Sequence, residues 1–200
     1  MTNPAAARGR EVRQRLMRAA VELVPERGWP AVSTRVLAER AAVTPSVVHY
    51  HFPSLRALLT EAVVAAMREL LDETTSALAA VRNPDELLEA MLAALEPYDG
   101  RDPTSVLFME AYLAATRDEQ LRAAIGGVVA GFREQLAEWL GAHEIAAPAE
   151  TAAVLAAAID GVLLHRALNP GITSAAVAPV LRRLVAPGSA SPGIDGRTYS

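Results

Sequence analysis

Residues 33–52 read STRVLAERAAVTPSVVHYHF, and the organisation of the whole chain can be worked out from them. The stretch holds two short amphipathic segments around a tight bend. Leu37 and Ala38 fall on one face of the first, Thr34–Ala41, with Ser33 or Thr34 placed to cap its start. Ala42-Val43 makes the bend. Thr44-Pro45 opens the second segment, with threonine as cap and proline in the first turn, where its missing N–H removes no bond. This segment runs to about Tyr50, and His51-Phe52-Pro53 ends it. Leu37, Ala38, Ala41, Val43 and Val48 are the inward positions, and small side chains at Ala38, Ala41 and Ala42 permit a close crossing. The outward positions of the second segment are Thr44, Pro45, Ser46, His49 and Tyr50. Short or hydrogen-bonding groups followed by aromatics make a poor core face. They suit base edges and phosphates in a major groove about 12 Å wide.

Upstream, Arg8–Arg27 reads as a helix: Val12, Leu16, Ala20, Leu23 and Val24 recur at helical spacing and Gly28 stands just past its end. Downstream, Ser54 caps a long helix reaching about Val81, and Asn83-Pro84-Asp85-Glu86 has the cap, first-turn proline and glutamate of a capping box. That next helix ends near Glu96, before a polar loop, Pro97–Pro103. Helices follow over Thr104–Ala115, Asp118–Gly141, Pro148–Leu168 and Ser174–Val185, with Gly126, Gly127 and Gly131 placed to kink the second of these. The expectation is an all-α fold of about nine helices. Residues 8–53 form a three-helix DNA-binding domain, 54–186 a helical ligand-binding and dimerisation domain, and 187–200, rich in Gly, Pro and Ser, a disordered tail.

Composition agrees. Hydrophobic residues are 52% of the chain but aromatics only 4%, so Ala, Leu and Val carry the apolar content and favour helix. The absence of cysteine removes disulfides and thiolate metal sites. Neither a secretory pattern nor an uncharged apolar run of spanning length is visible, so the chain reads as soluble and cytoplasmic, with no membrane partner. Charge is segregated. Residues 1–56 hold nine arginines against four acids, a local +5, while the chain as a whole is −4. A basic end on an acidic body is what binding phosphate at one end requires.

The segment resembles the DNA-binding domain of the TetR family of regulators. The likeness spans roughly residues 10–60: the helix ending at Gly28, Ser33-Thr34-Arg35 with Leu37-Ala38, Val43-Thr44, the His49-Tyr50-His51-Phe52 run, and Pro53-Ser54 leading into Ala57-Leu58-Leu59. The resemblance implies that Thr34 bonds a phosphate and that Arg35 reaches a guanine edge or the backbone. Thr44, Pro45 and Ser46 would face bases, His49 and Tyr50 would contact bases or phosphate, and His51 phosphate. Two positions depart from the family: His49 stands where Tyr is usual, and Leu55 where Lys is usual. The second removes a phosphate partner that Arg56 would have to replace. His49 and His51 point to different helix faces and share no metal, and Phe52 reads as a packing plug.

Pro148–Leu168 is apolar nearly all round, with small residues Ala153, Ala157 and Gly161, and reads as a dimer helix or a central core helix. The resemblance implies that the last two long helices pair with their two-fold mates. Met67, Leu71, Phe108, Met109, Tyr112, Phe132 and Trp139, with the polar interruptions Asp160 and His165, either line a ligand cavity or form plain core. A buried Asp160 needs a partner, whether arginine, histidine across a dimer, or a ligand cation. The resemblance implies a repressor released from a palindromic double-stranded DNA operator by a small-molecule effector, with no cofactor. No nucleophile elbow, zinc-protease, P-loop or dinucleotide pattern supports an enzyme. The alternative is a helical interaction module of the same fold without operator binding.

Overall fold

The computed structural model of the protein describes residues 4–78 and 80–186, and the expected tail at 187–200 lies outside them. Those residues form nine α-helices, with no strand among them: α1 (Pro4–Arg27), α2 (Thr34–Arg40), α3 (Pro45–His51), α4 (Leu55–Leu78), α5 (Pro84–Ala94), α6 (Pro103–Ala115), α7 (Glu119–Ala142), α8 (Pro148–Arg166) and α9 (Ser174–Leu184). A short 3₁₀ turn, Trp29–Ala31, joins α1 to α2.

Most helix starts are chemically explicit. The side chains of Ser33, Asn83 and Asp102 each accept a backbone N–H three residues on, at Val36, Glu86 and Ser105. Asp118 accepts from both Gln120 and Leu121. The Asn83–Glu86 box closes one residue early: the Glu86 carboxylate takes the N–H of Arg82, 3.0 Å away, together with its guanidinium. Thr44 holds its cap position but not the cap bond, and its hydroxyl lies 2.8 Å from that of Ser46 instead.

Two expectations are corrected. α1 begins at Pro4 rather than Arg8, because a first-turn proline followed by three alanines favours an extra turn. α4 stops short of Val81. Thr74, Thr75 and Ser76 turn their hydroxyls back onto the carbonyls of Leu70, Leu71 and Asp72, a habit that weakens a helix end. α7 passes through its glycines as one helix, held before them by buried Leu121 and Ile125 and after them by Phe132, Leu136 and Leu140.

Two apolar cores result. The first joins α1, α2 and α3 to α4, α6 and the first half of α7, around Leu16, Leu23, Leu37, Val48, Leu58 and Leu107. The second joins α5, the second half of α7, α8 and α9, around Leu87, Leu88, Leu136, Leu140 and Leu155. α7 runs through both, and Leu71 of α4 packs against each.

Candidate nucleic-acid interface and ligand cavity

α2 and α3 form the helix-turn-helix. Leu37, Ala38, Ala41 and Val48 are buried, as their inward spacing requires, and Val43 partly so. The bend closes by a bond from Val43 N–H to Ala38 O, 2.9 Å, with Ala42 at φ +52°. That left-handed conformation favours glycine, yet the residue is alanine. Arg40 bonds Glu22 and Glu26 of α1 at 3.1 and 2.5 Å, fixing α2 against it. These bonds hold the Glu26 carboxyl below its ordinary range and raise the guanidinium further.

The outward face is as open as expected. Arg35, Thr44, Pro45, Ser46 and His49 are exposed, Thr34 and His51 are half-buried, and Tyr50 is 85% exposed. Tyr50 and His51 meet edge to face, ring centres 5.1 Å apart. Phe52 is buried beneath the Arg13 guanidinium, 4.3 Å from the ring centre, and Arg13 is held by both carboxylate oxygens of Glu61 on α4. The N-terminal part of α1 brings a group that the motif did not announce. Gly9 lies beside the His51 ring, so exposed Arg8 and Arg10 stand at the same end as α3. Arg56 is engaged elsewhere: its Nε donates to Asp118 Oδ2 at 2.8 Å, tying the start of α4 to the cap of α7. A second tie crosses at the 3₁₀ turn, where Glu110 of α6 accepts the Trp29 N–H at 2.7 Å.

Between α4, α5, α6, α7 and α8 lies a cavity of about 540 Å³. Met67, Phe108, Met109, Tyr112, Phe132 and Asp160 all line it. His165 does not. It lies five residues past Asp160, about 140° round the helix at ~100° per residue, and is exposed. Trp139 also points elsewhere, stacked on His143 at 3.7 Å. Further lining groups that the sequence reading missed include Leu70, Thr74, Met91, Tyr98, Ile159 and Leu163. Their helical spacing marks them as apolar, but does not tell a cavity wall from packed interior.

The Tyr112 hydroxyl donates to Asp160 Oδ2 across 3.4 Å. Desolvation raises the Asp160 carboxyl above its ordinary range, and desolvation with the neighbouring carboxylate raises the Tyr112 phenol. The floor of the cavity is fixed by residues no motif singled out. Arg166 donates to Leu95 O, Tyr98 O, Ile172 O and Ser174 Oγ at 2.9–3.0 Å. Gly100, at φ +80°, presses the α5–α6 loop onto the end of α8.

Comparison with known proteins agrees with this architecture. Residues 82–187 match the family model described as the tetracyclin repressor-like C-terminal domain, and residues 16–62 match that of bacterial regulatory proteins of the tetR family. The HTH-type transcriptional regulator BetI of Rhizobium meliloti (strain 1021) is 29% identical over 159 residues, covering 78% of each chain. The crystal structure of the transcriptional regulator SCO7518 from Streptomyces coelicolor A3(2) superposes with a TM-score of 0.73 at 28% identity, covering 88% of this chain and 99% of that one. A Saccharomonospora viridis regulator in complex with choline superposes at 0.72 with 20% identity, over 88% and 95% of the two chains. The chain belongs to the TetR family of helix-turn-helix transcriptional regulators.

Proposed function

We propose that the protein is a homodimeric repressor whose DNA-reading head, residues 8–53, is released from a palindromic operator when a small molecule enters the body, residues 54–186. The observation that carries the head is Tyr50. A large aromatic left 85% exposed, on a helix that packs through Val48 on another face, has no structural use within one chain. Thr44, Pro45 and Ser46 would meet base edges, with His49 and Tyr50 on bases or backbone. Thr34 and His51 would take phosphates, and Arg35 a phosphate or a guanine. Arg56, held by Asp118, is a weak substitute for the missing lysine. Arg8 and Arg10 are better placed.

The dimer is supported by an uncovered stripe. Val154, Ala157 and Leu164 on α8, Leu168 just past its end, and Val180 and Leu184 on α9 are exposed, Leu168 by 80%. By length and composition α8 could cross a bilayer. Its small residues and the parallel stripe on α9 suit a two-fold four-helix contact better. Two recognition helices are also what a specific site needs, since one reads too few base pairs.

Release would run through α6, which carries Phe108, Met109 and Tyr112 in the cavity and Glu110 on the Trp29 N–H. A ligand shifts DNA affinity only as far as it prefers the DNA-incompetent state. The test is to sequence genomic fragments retained by the purified protein, then titrate the enriched site. A palindrome is expected. Arg35→Ala should lower affinity by about 1–3 kcal/mol, or reduce the salt slope by about 1 if its partner is a phosphate. Tyr50→Ala should also weaken binding with the dimer intact. No enriched fragment, or variants that unfold instead, would count against the reading.

A further inference from the structure

We infer that the cavity takes a lipophilic organic monocation, an ammonium or phosphonium centre carrying an apolar or aromatic body, with Asp160 as its counter-charge. This rests on the ligand-released reading above and names the class of ligand for that site.

The lining is lopsided in a way that disfavours anions. Among the lining residues Asp160 is the one carboxylate, and there is no arginine or histidine to offset it. An anion entering the cavity would meet a like charge and no cationic donor. A richly hydroxylated neutral ligand would find two of the lining hydroxyls already engaged. Ser105 Oγ donates to Asp102 at 2.6 Å and Thr74 Oγ1 to the Leu70 carbonyl at 3.0 Å. Most of the remaining surface is methionine, leucine and aromatic ring, which rewards an apolar body.

Asp160 has one weak partner and no counter-ion among the described residues. Its contact with Tyr112 is long at 3.4 Å, and it forms no ion pair among the described residues. His165, the basic side chain nearest in sequence on the same helix, faces away from the cavity. Asp160 is exposed in the single chain rather than buried as expected, yet its apolar neighbours still raise its carboxyl above the ordinary range, and without a counter-charge that is unfavourable. A cation seated beside it reverses the penalty, and the aromatic residues Phe108 and Tyr112 line the same cavity. Asp160, exposed like Leu164 and lining the cavity beside Gly161, lies on the side that the second protomer is proposed to cover. The bound charge would thus lie in a site closed by dimer formation.

Tetraphenylphosphonium and tetraphenylborate share one shape and carry opposite charges, so they separate charge from fit. The full-length dimer is titrated calorimetrically with each, and with benzyltrimethylammonium as a smaller cation. The phosphonium is expected to bind at least about tenfold more tightly than the borate. Asp160→Asn should remove most of that preference, and Asp160→Glu should retain it. Equal affinity for the two ions, tighter borate binding, or no binding of either cation would overturn the assignment. So would dissociation of the dimer by Asp160→Asn in light scattering, which would place the partner of Asp160 across the interface. Cation binding that leaves operator affinity unchanged would uphold the ligand class and count against the release reading. Release by some other molecule, with no cation bound, would do the reverse.

Discussion

Replacing Gly100 by alanine asks how firmly the α5–α6 loop closes the cavity floor. A Cβ at this position would stand 2.4 Å from Leu163 O, 2.7 Å from Ala167 N and 2.9 Å from Ala167 Cβ. The two nearest atoms are helix backbone, so no rotamer change relieves them, and the loop must retreat by roughly half an ångström or more. Holding an alanine at φ +80° adds about 1–2 kcal/mol, and the overlap about 1–3 kcal/mol. Retreat also stretches the bonds from Arg166 to Leu95 O and Tyr98 O. A loss of about 2–5 kcal/mol is expected, or roughly 4–20 °C in Tm for a chain of this size. The assay is denaturant unfolding at one fixed protein concentration, because dimer stability depends on it. Gly127→Ala is the control: it is exposed on α7 with nothing within 4 Å of its Cβ, so the same change should stabilise by about 0.5–1 kcal/mol. A loss below about 1 kcal/mol at Gly100, or the same sign at both positions, would refute the reasoning.

Ala42→Gly should stabilise the helix-turn-helix by up to about 1 kcal/mol, because relief of a left-handed alanine exceeds the added freedom of the unfolded chain. Any destabilisation in thermal melts would contradict this. Leu164→Glu places a carboxylate in the α8 stripe and should weaken self-association by at least about 100-fold, read by light scattering across a dilution series. An unchanged dimer would move the interface elsewhere. Arg166→Leu leaves several carbonyls without their shared donor and should lower stability by about 2–4 kcal/mol in urea, whereas a surface arginine would register almost nothing.

The parts legible in the sequence are those set by neighbours in the chain. Caps at Ser33, Asn83 and Asp118, the bend at Ala42-Val43 and the buried face of Leu37, Ala38 and Val48 are all local patterns. The aromatic and methionine positions of α6 could be gathered as a cluster, but periodicity alone left open whether they enclosed space. Arg166 was invisible for a different reason. Its acceptors at Leu95 and Tyr98 lie 71 and 68 residues away, and an arginine ending a helix reads as an ordinary C-terminal charge. Gly100 looked like one more loop glycine in PYDGRDP until the end of α8 was placed against it. Arg56 was weighed as a phosphate ligand because Asp118, its actual partner, is remote in sequence. His165 and Asp160 both interrupt an apolar run, although five residues turn them apart.

The unbroken course of α7 through its glycines has a mechanical consequence. Ile125 is the last of its residues fully enclosed by the first core, and Phe132 the first enclosed by the second. Gly126, Gly127 and Gly131 fall in the span between, and none would bring a Cβ within 4 Å of other atoms. The rod is therefore most pliant where it passes from one core to the other, and flexing there displaces no packed side chain at the glycines. Expansion of the cavity at Phe132 can tilt one half of the molecule against the other about this soft segment, while each core moves as a unit. A stiffer helix, such as the Gly127→Ala control, should then gain stability and lose compliance together, with a narrower range of head positions open to the dimer.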